Sequence, residues 1–209
     1  LDHCPRPNAD YSAHRESVRR TLLWAAAGRR ELTRAAQSVP NVPLLFAVVQ
    51  GGPHLDLRRG CLEELMGLGF DGLGFGGWPI TDGRLDDMAH AVAEMTPARV
   101  LLHGLGIGSL GVLREAASIG YRLFDCVMPT RDARHGRLYN YDGRSVSIRD
   151  ERFARRQKPA MDDCDCMTCV TYPAAYLHHL FHIGDALGQR LASIHNLHIY
   201  SRAVGVSVG

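Results

Sequence analysis

Apolar residues fall in short blocks along this chain, and each block closes on glycine or a polar side chain. Residues 42–50 (VPLLFAVVQ) form a continuous apolar run that Gly51, Gly52 and Pro53 break, and residues 55–68 then take up helical spacing. The unit recurs. A strand is predicted at 70–75, closed by Gly76 and Gly77, with helical spacing at 85–95. Another strand is predicted at 99–103 (RVLLH), followed by Gly104, Gly106 and Gly108 and a helix at 110–119, and a further strand at 121–126. Upstream, residues 11–27 read as a helix and Leu1-Asp2 as the end of an earlier strand. Apolar strands alternating with helices predict a parallel α/β sheet. Gln50, Gly76, Gly77, His103 and Asp125 lie at the C-terminal ends of the strands, which in a β/α barrel form the active-site face. About five βα units are visible where a closed barrel takes eight. For the sheet to close into a (β/α)8 TIM barrel, of which this would be the C-terminal part, roughly three units would have to precede Leu1.

Beyond Asp125 the alternation stops. Residues 137–148 carry Asp142-Gly143 between alternating segments, a strong hairpin signal. Residues 172–192 read as one long amphipathic helix, and 195–203 as a further helical stretch. Two parts are expected: 1–130, the C-terminal βα units, and 131–209, a hairpin, a metal-binding subdomain and C-terminal helices capping the barrel rim.

That second part holds the most specific chemistry. Cys164, Cys166 and Cys169 follow the spacing C-x-C-x-x-C, and His195 comes later. Three thiolates and an imidazole fill the four tetrahedral positions of zinc and leave none for substrate, so the site reads as a structural staple. His178 and His179 compete with His195 for the fourth position. The six cysteines include only Cys4, Cys61 and Cys126 outside this cluster, a pattern suited to a reduced, cytoplasmic protein rather than a disulfide framework.

Composition adds little except for charge. The 209 residues are 45% hydrophobic and 22% charged, with a net charge of +2, and no apolar run approaches the roughly 18 residues of a membrane span. Between Arg131 and Lys158, however, nine basic residues face four acidic ones. Such a patch fits a phosphate-facing surface and equally fits a solvated arginine-rich face. Taken alone, Asp125 is as readily a helix-capping acid or the partner of Arg131 as a catalytic group. Gln50 is as readily a strand-end side chain bonded to neighbouring backbone, and Gly76 and Gly77 a tight turn.

Several stretches, in order, bear on these choices. Leu1-Asp2-His3-Cys4, Val48-Val49-Gln50-Gly51-Gly52, Gly69-Phe70-Asp71-Gly72, Gly76-Gly77, Gly104-Leu105-Gly106, the run from Phe124 to Arg131, the cysteine cluster, Tyr176 to Leu180 and Ile194-His195-Asn196-Leu197 closely resemble the tRNA-guanine transglycosylases. The resemblance covers residues 2 to about 200 and implies a (β/α)8 barrel with an inserted zinc-binding subdomain. It implies exchange of guanine at the wobble position of a tRNA anticodon for a 7-deazaguanine (queuine or its precursor), without a redox or nucleotide cofactor. Asp125 matches the nucleophile that forms a covalent ribosyl ester. Asp2, Gln50, Gly76 and Gly77 match contacts to the base, Arg131 and Arg134 would hold the tRNA backbone, and His195 becomes the preferred fourth zinc ligand. A homodimer is also implied. Three departures concern the base pocket: Trp78 follows the Gly-Gly pair where a leucine is usual, His103 stands where a methionine commonly covers the base, and Leu101 replaces a tyrosine. Two other readings remain: a base exchanger for another tRNA position or DNA, and a non-catalytic tRNA-binding subunit, which Asp125 argues against.

Overall fold

The computed structural model describes residues 1–38 and 40–205. The chain forms two compact units, Leu1–Ile107 with Glu115–Asp125, and Gly108–Arg114 with Cys126–Gly209.

In the first unit, helix α1 (Tyr11–Ala35) precedes strand β1 (Phe46–Val49), helix α2 (Leu55–Gly67), strand β2 (Gly72–Phe75), the short strands β3 (Ile80–Thr81) and β4 (Arg84–Leu85), helix α3 (Asp87–Met95) and strand β5 (Leu101–Leu105). Helix α4 (Leu110–Ser118) divides its residues between the two units, and strand β6 (Tyr121–Asp125) closes the first. Strands β1, β2, β5 and β6 lie side by side in that order, all parallel, as the alternation predicts. One face of this sheet is packed: Val49, Leu73, Phe75, Leu102 and Tyr121 are buried, and the Tyr121 hydroxyl donates to the carbonyl of Ala89 in α3. The other face is occupied differently. On β2 it carries only the glycines 72 and 74, and Gly76 continues the row just beyond the strand. A Cβ at Gly72 would meet the Phe46 ring at 2.1 Å, and one at Gly76 would meet the Gln50 amide at 2.6 Å. The missing side chains make room for their neighbours on this face.

The segment after Leu1-Asp2 is irregular and is pinned to α1, where Thr21 Oγ1 accepts from the His3 amide at 3.0 Å and the Ser17 hydroxyl donates to the His3 carbonyl. One expectation for this unit changes. Helix α1 runs on past Ala27 to Ala35, because Gly28 sits at an open surface position and costs a helix only about 1 kcal/mol. The β3–β4 hairpin was not anticipated. Its turn is Asp82-Gly83, both at positive φ (51° and 76°), the pairing that a two-residue turn of this hand requires.

The second unit contains helix α5 (Met128–Arg134), the antiparallel hairpin β7 (Arg137–Tyr139) and β8 (Ser145–Ser147), a 3-10 turn (Glu151–Phe153), and helices α6 (Met167–Thr171), α7 (Ala174–His182) and α8 (Ala186–Ala203). The hairpin turns at the expected Asp142-Gly143. The single helix expected over 172–192 is instead two. Gly184 takes a left-handed φ of 73°, and the Asp185 carboxylate caps α8 by accepting from the Leu187 amide at 2.8 Å. The apolar spacing continues across the break because α7 and α8 both contribute to one core with Leu138, Ile148 and Phe153. Asn196 ties this unit together. It accepts from the Tyr139 amide at 3.0 Å and donates to the carbonyls of Pro129 and Arg137, each at 2.9 Å, which satisfies a fully buried amide.

Candidate functional site

Strand register decides which side chains share the glycine-rich face. Val48 pairs with Gly74, and Gly74 with His103. Between β5 and β6 the register shifts by one residue: Leu102 pairs with Tyr121, but His103 pairs with Leu123 and Leu105 with Asp125. A shift of one residue moves the following side chains to the opposite face of a strand. Asp125 is thereby placed on the face of His103 and Gln50 rather than among the packed side chains. His103 Nε2 lies 2.9 Å from Asp125 Oδ1, and the Gly106 amide reaches the same oxygen at 3.4 Å. Asp125 is well exposed, with 63% of its side chain accessible.

Gln50 is fully buried and donates from Nε2 to Asp2 Oδ2 at 2.7 Å. Two predicted site residues distant in sequence are thus in direct contact. Behind them stands Arg58, which the sequence reading placed on a helix without remark. Its guanidinium donates to the carbonyls of Gly52 (2.9 Å), Val49 (2.7 Å) and Gly76 (2.9 Å) and lies 4.0 Å over the Phe75 ring. One buried cation therefore fixes the ends of β1 and β2. Burial lowers its pKa to about 10, still high enough to keep it charged at neutral pH. The signal was available: residue 58 lies on the same stripe of α2 as Cys61, Leu62 and Leu65, where an unpaired charge would be costly. Gly51 and Gly52 are required by this arrangement. Both have positive φ, and a Cβ at Gly51 would meet the Arg58 amide nitrogen at 2.7 Å.

Gly76 donates its amide to the Val49 carbonyl at 3.0 Å and accepts from Arg58, so both its backbone groups hold the turn. Gly77 follows at φ 96°. Beside Gln50 and Gly77 opens a cavity of about 270 Å³, lined also by Cys4, His14, Arg58, Trp78, Thr81 and Asp86.

His14 is buried in the wall of this cavity, with neither ring nitrogen hydrogen-bonded. Burial, then His54 and Arg58, lower its pKa, against a small opposing effect from Asp10. Its unfolded-state value is near 6.5, so on acidification the unfolded chain takes up the proton first. The stability that neutral His14 permits is complete above about pH 6.5 and declines as the pH falls toward the folded value. We expect the thermal midpoint to drop more between pH 7.5 and 5.5 in the wild type than in His14→Phe; equal drops would assign the sensitivity elsewhere.

In the second unit the sulfurs of Cys164, Cys166 and Cys169 each lie 3.5 Å from His195 Nδ1, and all four donor atoms fall within 4.8 Å of one another. These separations match the edges of a tetrahedron with arms of about 2.0–2.3 Å. His195 is fully buried and directs Nε2 at the Tyr139 carbonyl, 2.8 Å away. A carbonyl only accepts, so the proton sits on Nε2 and the Nδ1 lone pair faces the sulfurs, the tautomer a metal ligand needs. The Cys166 sulfur also accepts from the Cys169 amide at the start of α6. His178 and His179 lie on α7, outside this cluster. The four residues could hold a metal ion. All six cysteines are free thiols.

Arg131 and Arg134 lie in the last turn of α5. Arg131 Nε lies 3.1 Å from Asp132 Oδ1, whereas Arg134 makes no ion pair among the described residues. Arg144, Arg152 and Arg156 of the basic run pair with Asp142, Asp150 and Asp162. No helix among the described residues is long and apolar enough to cross a membrane.

A mixed α/β fold with a parallel sheet and a buried Cys3His cluster defines the class. The profile of the queuine tRNA-ribosyltransferase family matches residues 1–205. Curated relatives carrying that name include proteins of Syntrophobacter fumaroxidans (39% identical over 202 residues, 96% of this chain and 52% of the relative), Chromobacterium violaceum (37% over 202 residues, 96% and 53%) and Thermotoga maritima (36% over 199 residues, 94% and 52%). The chain belongs to the queuine tRNA-ribosyltransferase family. It spans about half the length of the curated relatives it matches.

Proposed function

We propose that the protein exchanges guanine in tRNA, at the wobble position of the anticodon, for a 7-deazaguanine, queuine or its precursor. The observation that carries this reading is the one-residue register shift that sets the Asp125 carboxylate on the open sheet face it shares with Gln50, whose amide grips Asp2. In this reading the four parallel strands belong to a (β/α)8 barrel, with residues 1–130 supplying its C-terminal βα units and 131–209 the added hairpin, zinc subdomain and helices.

Asp125 attacks the ribose C1′. A carbon–oxygen bond forms as the C1′–N9 bond breaks, the electron pair passes to guanine, and the freed nitrogen takes a proton from water. The incoming base then bonds to C1′ through its ring nitrogen, which loses its proton to water, and the electron pair of the C1′–O bond returns to the carboxylate. Asp2 and Gln50 read the base edge. Gly77 is the better placed of the two glycines to offer backbone to the ring, since Gly76 spends both its groups within the protein. His103 flanks the base, and Arg131 and Arg134 contact the tRNA phosphates.

The donor set suits zinc: three thiolates and one imidazole leave no open position, so the metal would supply folding energy and no chemistry. Cys164, Cys166, Cys169 and His195 would hold it. The protein is read as a cytoplasmic homodimer. The test is incorporation of radiolabelled guanine into tRNA by the full-length protein, with mass spectrometry of the nucleoside formed when 7-deazaguanines are supplied. Labelling of duplex DNA alone would move the activity to another substrate, and tRNA binding without exchange would leave a non-catalytic subunit.

A further inference from the structure

Two polar contacts to Asp125 converge on one oxygen, a hydrogen bond from the Gly106 amide and an ion-pair contact from His103. His103 Nε2 stands 2.9 Å from Oδ1 and the Gly106 amide 3.4 Å from it, while Oδ2 has no partner among the described residues. An ionised carboxylate only accepts, so the contact is favourable when His103 Nε2 carries a proton. The two oxygens are therefore unequal: Oδ2 is free to attack and Oδ1 is held.

We propose that His103 is a positioning residue acting through Asp125, one that shortens the life of the covalent ribosyl ester by stabilising the carboxylate that leaves it. The inference rests on the reading of Asp125 as the nucleophile. When Oδ2 bonds to C1′, Oδ1 becomes the carbonyl oxygen of an ester and loses its share of the negative charge, so its attraction to His103 weakens. When the ring nitrogen of the incoming base bonds to C1′, the C1′–Oδ2 bond breaks, its electron pair returns to the carboxylate, and the nitrogen's proton passes to water. Charge reappears on Oδ1, and its attraction to His103 strengthens with it. A donor that binds the carboxylate more tightly than the ester favours the second half-reaction at some cost to the first. The register shift at Leu102/His103 supports this role, because without it Asp125 would face away from the imidazole.

The experiment uses the full-length protein. It is incubated with tRNA carrying guanine at the target position, the covalent protein–RNA adduct is trapped on denaturing gels, and its decay is followed after a chase with free guanine. His103→Leu and His103→Met both remove the donor, and His103→Gln keeps an N–H at similar reach. We expect adduct to form no more slowly in the Leu and Met variants and to decay about tenfold more slowly, with Gln close to wild type. A purely structural role would not separate formation from decay. Decay at the wild-type rate in Leu and Met, or a Gln variant as slow as Leu, overturns the proposal. Absence of any adduct from the wild-type protein while exchange continues would instead overturn the Asp125 reading beneath it, and the two failures are distinct.

Discussion

Replacing Asp125 with asparagine should abolish base exchange, by at least about a thousandfold, and leave the protein folded. The amide has nearly the same shape and can still accept from His103 through its oxygen, so the geometry of the strand end survives. It lacks the anionic oxygen that must capture C1′, and among the described residues no other carboxylate contacts His103 or Gly106. Stability should change little. Asparagine keeps the shape of the side chain and can still accept from the Gly106 amide. The measurement is guanine exchange by the full-length Asp125→Asn variant, set beside its tRNA affinity and thermal midpoint. Exchange at a tenth of the wild-type rate or better, with no adduct formed, would mean that another group attacks the sugar.

The parallel sheet was legible because its strands are short apolar blocks with glycine at their ends. Composition and spacing record burial on both faces of such strands well. They record less well which residue faces which way. The alternation placed Asp125 at a strand end, but its facing depends on a one-residue shift against β5 that no spacing within β6 encodes. The glycines in and just beyond β2 showed the converse: Gly72 and Gly76 stood out in the sequence, while their reason, room for Phe46 and Gln50, lies on a neighbouring strand. Arg58 was overlooked because its partners are backbone carbonyls, and carbonyls carry no sequence signature. The long helix expected over 172–192 failed at Gly184-Asp185, a stop followed by a cap that apolar periodicity overrode. The cysteine cluster needed only its own spacing, whereas the fourth donor came from the resemblance, since three histidines were available and their folding decides among them.

Removing the metal should unfold the second unit. Three buried sulfurs each lie 3.5 Å from the buried His195 imidazole, and the loop that carries the cysteines forms no regular structure before the short α6. Without an ion, the thiolates repel one another and the thiols leave the imidazole lone pair poorly satisfied in a dry interior. With zinc bound, structural sites of this type contribute on the order of 10 kcal/mol, comparable to the entire stability of an ordinary domain. The loss would propagate through α8. That helix carries both His195 and Asn196, and Asn196 is bonded to the carbonyls of Pro129 and Arg137 and to the Tyr139 amide. We expect Cys166→Ser to purify with less than a tenth of the wild-type zinc, to lose much of its helical circular dichroism, and to expose the remaining thiols of the cluster to alkylation, with chelation of the wild-type protein producing the same changes. Cys4→Ser, at an exposed thiol outside the cluster, should retain full zinc and wild-type helicity. A Cys166→Ser protein with a full complement of zinc and an unchanged thermal midpoint would show that this unit is held by its apolar core alone.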